Sequence, residues 1–170
     1  MSDIMRIQSK IDSKFFKLKG KSVIGFYVAA GEYGFLSNLW PCRIEFEGKV
    51  YMSAEHAYQS GKSSRQEIND YIAAAPYPRI AAAVGHNLSV YDIRTDWHDV
   101  RLKRMMEVVS AKFLQNKDLA EKLMETGNAE LQEKSNDRFW GIGRNRDGQN
   151  ELGKMLMDLR ETLKAGGMPE

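Results

Sequence analysis

From Asp137 to Leu152 the chain reads Asp-Arg-Phe-Trp-Gly-Ile-Gly-Arg-Asn-Arg-Asp-Gly-Gln-Asn-Glu-Leu. Gly141, Gly143 and Gly148 stand among charged residues, too many glycines for a regular helix or strand across the stretch. Yet it holds Trp140, a large apolar side chain that a merely solvated connector would lack. Such a loop is positioned by a scaffold, and loops of this kind often carry function. Trp140 then serves in one of two ways. It is a flat wall for a ligand, with Asp137 beside it and Gly141 admitting close backbone approach, or it is the plug of an Ω-type loop. The residues alone leave both open.

With 170 residues the chain suits one domain around a single core. Apolar residues at 42% and charged residues at 28% are the proportions of a soluble globule. The net charge of +2 is near balance and basic residues alternate with acids, as in Lys103-Arg104 followed by Glu107. No long basic run supports a dedicated nucleic-acid grip, so nucleic acid is expected only as a modified substrate. A single cysteine, Cys42, implies no internal disulfide and a reducing cytoplasm. No Cys/His pairs stand at ligand spacing, and no metal or cofactor is expected. Met1–Arg6 lacks an apolar run and no stretch reaches spanning length, so neither a signal peptide nor a membrane partner is expected.

Residues 1–22 read as a loosely attached arm and residues 23–165 as the domain. Val23–Val28 is β-branched and aromatic, a strand pattern, and two short runs around Glu47-Gly48 form a hairpin. Ser53 caps a helix through Glu55 and Gln59 toward Lys62. Ser64 with Glu67 forms a capping box, and that helix stops before Pro76. Pro78 starts a short helix ending near Gly85. Asp96 caps the longest helix, with Leu102, Met105, Met106, Val109 and Phe113 as its apolar stripe. Asn116 caps another that ends at Thr126-Gly127, and Asn150 caps the last, whose apolar face carries Leu152, Met155, Leu156, Leu159 and Leu163. The fold class is α+β: a helix-rich single domain with a small N-terminal β-sheet or hairpin.

Glu55, Gln59 and Lys62 line one helix face at i, i+4 and i+7. A solvated face explains such a line. Equally, Glu55 lies near a helix N-terminus, where the dipole keeps a carboxylate ionised. His56 points about 100° away and reads as a hydrogen-bonded core residue. Lys112 sits at the edge of the long helix's stripe, either snorkelling or reaching into a cleft toward phosphate. Trp97 opens the same helix as a core or cap residue. Glu133 ends a short extended segment before the tryptophan loop and, with Asp137, adds acids near Trp140. Paired carboxylates around an aromatic wall suit glycosidic cleavage, where positive charge develops on a sugar; such acids also cap turns.

Taken together, Gly34-Phe-Leu-Ser-Asn-Leu-Trp40 and Glu47-Gly-Lys-Val-Tyr-Met-Ser-Ala-Glu-His-Ala-Tyr-Gln-Ser-Gly-Lys62 resemble the opening motifs of the NADAR family of YbiA-like N-glycosidases. Ala111–Asn116, Leu123–Asn128, Leu131–Glu133, Asp137–Gly143, Gly148–Gly153 and Leu156–Arg160 follow in the family's order. The resemblance runs from about Gly25 to Leu163. It implies a YbiA-like fold and hydrolysis of N-glycosidic bonds in phosphate-bearing ribosyl substrates. Two substrate classes are implied: phosphoribosylated aminopyrimidine intermediates of riboflavin biosynthesis, or ADP-ribose on guanine. A non-catalytic ADP-ribose or nucleotide-binding module is the reading from another class, and the three acids argue against it. By the resemblance the family's glutamate falls on Glu55, its late acid on Asp137 and its tryptophan on Trp140. The expected catalytic set is Glu55, Asp137 and Glu133, with the proton donor open between the last two. The expected substrate-binding set is Trp140, Lys62, Lys112, Gln59, Asn38, Gly141, Asn150 and Trp97. Pro76–Arg94 departs from the family pattern and the first twenty residues lie outside it, so substrate-specific contacts have room in either.

Overall fold

The computed structural model describes residues 22–166; the expected N-terminal arm lies, but for Ser22, outside the described residues. β1 (Val23–Phe26) pairs in parallel with β4 (Glu130–Glu133), Val23 opposite Glu130 and Phe26 opposite Glu133. β2 (Ile44–Phe46) and β3 (Lys49–Tyr51) form the antiparallel hairpin, whose two-residue turn holds Glu47 at φ 50° and Gly48 at φ 73°. Positive φ at both turn residues matches the right-handed twist of the flanking strands. The sheet material is therefore two separate pairs, and one of them recruits a late strand rather than being wholly N-terminal.

Around these pairs lie α1 (Ala54–Gln59), α2 (Gln66–Ala73), α3 (Pro78–His86), α4 (Trp97–Gln115), α5 (Lys117–Glu125) and α6 (Glu151–Lys164). Among the described residues no helix is long and apolar enough to cross a membrane. The main core joins Leu36, Ile44, Val109, Phe113, Leu131 and Leu156, so it lies where α4 and α6 meet β2 and β4. Within α4 the buried face is Met105, Val108, Val109, Lys112 and Phe113. The expected Leu102 and Met106 are exposed, because the stripe is rotated by about one residue from the expected line.

Helix starts were legible, but several capping atoms differ. Ser53 caps α1 as expected, its hydroxyl accepting from the His56 N–H. The Ser64–Glu67 capping box does not form: α2 starts a residue later, and Glu67 pairs with Arg65 instead. Asp96 precedes α4 but turns both carboxylate oxygens to Arg94. Asn116 donates to the carbonyls of Arg43 and Lys112. α1 ends at Gln59, short of Lys62. His56 is in the core as expected. Its Nε2 lies 3.0 Å from the Ala75 carbonyl, which can only accept, so Nδ1 takes the Ser53 hydroxyl proton at 2.7 Å. Burial lowers its pKa, in keeping with a neutral ring.

Lys112 neither snorkels nor reaches a cleft. It is 0% exposed, and its ammonium donates to the Phe35 carbonyl at 2.6 Å and the Ser37 carbonyl at 2.8 Å. Burial lowers its pKa to about 8. The ammonium ties the turn before the hairpin to α4 and is removed from any ligand. Lys112→Met should therefore destabilise the fold by about 1–3 kcal/mol, because it leaves the Phe35 carbonyl unpaired and the Ser37 carbonyl with only the Trp40 N–H. Michaelis constants for phosphorylated and dephosphorylated substrates should not separate; denaturant titration and steady-state kinetics check both.

Candidate active site

A cleft of about 440 Å³ opens between α1, α3, the end of β4 and the tryptophan loop. Its lining brings together Asn38, Glu55, Gln59, Glu133, Asp137 and Trp140 from the expected set. A larger polar depression of about 890 Å³ lies between the hairpin and Val90–Asp96. None of the expected site residues lines it, and its cations are paired within the fold, as in Arg94 with Asp96 and Arg104 with Glu47. The smaller cleft is where the chemistry gathers.

Glu55 enters the cleft from α1, whose backbone is fixed by the Ser53 cap and by the Glu55 N–H donating to the Asn38 carbonyl at 3.0 Å. One turn on, Gln59 Nε2 donates to Glu55 Oε1 at 2.9 Å, as the i, i+4 spacing requires. Glu55 is only 8% exposed, and burial raises its pKa; the Gln59 amide and the Lys62 charge oppose that rise. The expectation that a helix dipole holds Glu55 ionised is thus corrected. α1 has only six residues, and the desolvation of a buried carboxylate is the larger effect.

Glu133 leaves the end of β4. Burial pushes its pKa up to about 7, against a hydrogen bond from Ser135 Oγ to Oε2 at 3.2 Å and with help from the negative charges of Glu55 and Asp137. Asp137 is exposed at the cleft rim. Its Oδ1 accepts from the backbone N–H groups of Phe139 at 2.7 Å and Trp140 at 2.8 Å, so it shapes the first turn of the loop. Trp140 meets Tyr58 edge-on at 5.7 Å and Phe139 at 4.8 Å between ring centroids. It lines the cleft and also packs on the core, so it plugs its loop and still presents a surface to the cleft.

The remaining expected binders lie elsewhere. Lys62 Nζ donates to the Gly85 carbonyl at 2.7 Å, behind Glu55 rather than in the cleft. Trp97 stacks at a tilt on Tyr58, 5.1 Å away, as the second layer of the aromatic wall. Gly141 is buried, and a Cβ there would lie 2.8 Å from the Glu133 carbonyl oxygen, so the backbone approaches the protein itself and not a ligand. Asn150 has φ 55°; its Nδ2 donates to the Leu131 carbonyl at 2.8 Å and its Oδ1 accepts from the Glu133 N–H at 3.0 Å. It is a clip on β4 and does not cap α6 with its side chain.

Sequence reading missed Tyr27, Tyr58, Met105 and the whole wall supplied by α3, which is Arg79, Ala82, Ala83 and His86. Those four recur at i, i+3, i+4 and i+7, a signal that was present in the sequence. Burial lowers the His86 pKa, and its Nε2 lies 3.3 Å from Gln59 Nε2. The arrangement offers two carboxyls whose pKa values burial raises, the rise opposed at Glu55 by an amide and a lysine charge and reinforced at Glu133 by negative neighbours, together with an aromatic surface and an inner amide. That is the equipment for cleaving a bond whose carbon becomes positive while its leaving group needs a proton.

Comparisons with known proteins agree with this fold. The NADAR domain matches residues 25–164. N-glycosidase YbiA of Shigella boydii is 36% identical over 84% of this chain and 89% of its own length. An N-glycosidase of Nostoc punctiforme is 40% identical, over 83% of this chain and 92% of that protein. A riboflavin biosynthesis protein of Vibrio vulnificus is 39% identical over 83% of this chain, which spans only 38% of that longer relative. The solution structure of YbiA from E. coli superposes with a TM-score of 0.77 at 33% identity, covering 86% of this chain and 87% of that one. A domain match over nearly all the described residues, two N-glycosidases aligned along most of their length and a shared α+β fold lead to one assignment: the chain belongs to the NADAR domain family.

Proposed function

We propose that this protein is an N-glycosidase that hydrolyses the bond between ribose and an aminopyrimidine nitrogen in phosphoribosylated intermediates of riboflavin biosynthesis. The observation that carries the reading is the pair of carboxyls, buried Glu55 and half-buried Glu133, lining one cleft with Trp140. The names of the relatives support the reaction type, and the riboflavin biosynthesis relative supports the substrate class. The substrate is then a small phosphoribosyl molecule, and a cytoplasmic setting accords with the lone half-buried thiol of Cys42.

In the proposed reaction the aminopyrimidine stacks on Trp140, and the anomeric carbon lies by Glu55. Glu133, carrying a proton near neutral pH, delivers it to the leaving nitrogen as the C–N bond breaks with its electron pair. The ribosyl cation that remains faces Glu55, whose anionic form the Gln59 amide, the Lys62 charge and the cation itself favour against the cost of burial, and which orients a water on the carbon. As the water's oxygen bonds to the carbon, the proton it releases returns to the Glu133 carboxylate, restoring the starting state. Asp137 shapes the loop through its two backbone hydrogen bonds, so the proton donor is Glu133.

Two outcomes are expected. Glu55→Gln removes the charge at nearly constant shape, so single-turnover cleavage should fall roughly 10²–10⁴-fold while product binding persists. Cleavage near the parental rate in a folded Glu55→Gln protein would exclude Glu55 from the reaction. The second concerns pH. Glu133 must be protonated to act, so kcat/KM should decline as pH rises through about 7, and Glu133→Gln should lose both the activity and that limb. The sign for stability follows from the same raised pKa. Between its ordinary value of 4.5 and about 7 the folded state binds the proton that the unfolded state has released, so this residue's contribution to stability is lost as pH rises through that window. Melting temperatures of the parent should fall from pH 5 to pH 8 by more than those of Glu133→Gln.

A further inference from the structure

A phosphorylated ribosyl group brings further negative charge to a cleft whose acids are Glu55, Glu133 and Asp137. A cation must offset it. The two lysines that the sequence offered for this are committed to backbone carbonyls: Lys62 to Gly85, and Lys112 to Phe35 and Ser37. Arg79 is different. It is exposed and lines the cleft, and it has no hydrogen-bond or ion-pair partner among the described residues. Arg43, Arg65, Arg94, Arg104, Arg138 and Arg160 each pair with a carboxylate, and Arg101, Arg144 and Arg146, which do not among the described residues, are outside the cleft lining.

Its place on α3 sets a distance as well as a charge. Arg79, Ala82, Ala83 and His86 share one helix face, and that face is the cleft wall. The two alanines leave the middle of the wall open. His86 marks the inner end, beside Gln59 and hence near Glu55. Arg79 stands seven residues earlier, about 10 Å along the helix axis from that end. A ribosyl group with its anomeric carbon at Glu55 and its ring along the alanines extends its 5-phosphate toward Arg79. The guanidinium fork matches phosphate oxygens two at a time.

We infer that Arg79 is the specificity-determining residue for phosphate in this cleft, taking the 5-phosphate of the ribosyl substrate in a bidentate contact. The phosphate is a terminal monoester or the first phosphate of a diphosphate bridge, the chemistry being shared. This rests on the N-glycosidase reading for the position of the ribose and adds to it the group that selects phosphorylated substrates. It also places that selection in Pro76–Arg94, the segment that departs from the family pattern.

The test is calorimetric binding of ribose, ribose 5-phosphate and ADP-ribose to the parent, Arg79→Ala and Arg79→Lys proteins, each checked for an unchanged melting temperature. The parent should bind ribose 5-phosphate roughly tenfold or more tightly than ribose, as a charged hydrogen-bonded contact implies. Arg79→Ala should erase that preference without altering ribose affinity. Arg79→Lys should keep part of it, as a point charge without the fork. Loss of the preference for ADP-ribose alone would assign the contact to a diphosphate bridge. An Arg79→Ala protein that keeps the full preference, or a parent that has none, overturns the inference. Cleavage of a dephosphorylated N-ribosyl aminopyrimidine separates this from the reaction itself. If Arg79→Ala loses the phosphate preference while the parent cleaves no N-ribosyl substrate, Arg79 stands as the phosphate contact and the glycosidase reading falls.

Discussion

The side-chain amide of Asn150 takes the place of a strand beside β4. Its Nδ2 donates to the Leu131 carbonyl and its Oδ1 accepts from the Glu133 N–H, on the edge of β4 that β1 leaves open. Three segments depend on those two bonds. β4 ends with Glu133 directed to the cleft, and α6 begins at the residue after Asn150. The intervening loop closes on itself, with the Asn150 N–H on the Gly141 carbonyl and the Leu152 N–H on the Trp140 carbonyl. Only a residue that tolerates φ 55° and carries both an amide donor and an acceptor fills this position without leaving β4 groups unpaired. The tryptophan loop is thus held by backbone hydrogen bonds at both ends.

The electrostatics of the cleft come from what surrounds it. Lys112 and Arg104 are buried cations that hold turns together, Arg104 donating to the Ala57 and Tyr58 carbonyls at the end of α1. Gly61 makes room for that guanidinium, since a Cβ there would lie 2.1 Å from its central carbon. α1 is therefore fixed at both ends, by Ser53 and by Arg104, although six residues would not hold a helix on their own. On that short, pinned helix Glu55 is buried with a single amide partner, and Glu133 sits opposite in an environment that favours its neutral form. Burial raises both pKa values, while the Gln59 amide opposes the rise at Glu55 and neighbouring negative charge adds to it at Glu133.

Much of the fold was legible in the residues. The hairpin around Glu47-Gly48, the Ser53 cap, the Pro78 start and the Gly127 stop all follow from local chemistry, and the structure has each of them. The pairing of β1 with β4 was not legible, because a parallel contact between segments more than a hundred residues apart leaves no local mark. The Asp96, Asn116 and Asn150 positions were right while their partners were wrong, since side-chain oxygens choose among tertiary partners that sequence does not display. The acids and Trp140 were found because their types are unusual in their context. Lys62 and Lys112 were misplaced because burial against a carbonyl and exposure to phosphate ask for the same side chain. Arg79 becomes legible only once the face it shares with Ala82, Ala83 and His86 is seen to line the cleft.

The central claim is that this cleft adds water across a ribosyl C–N bond. Mass spectrometry tests it most directly, after the purified protein is incubated with a phosphoribosylated aminopyrimidine in water labelled with heavy oxygen. Free aminopyrimidine and ribose 5-phosphate should appear in equal amounts, with the label on the sugar product alone. Intact phosphoribosylated aminopyrimidine after prolonged incubation with folded protein would contradict the proposed activity, and label carried by the pyrimidine would contradict attack at the ribose.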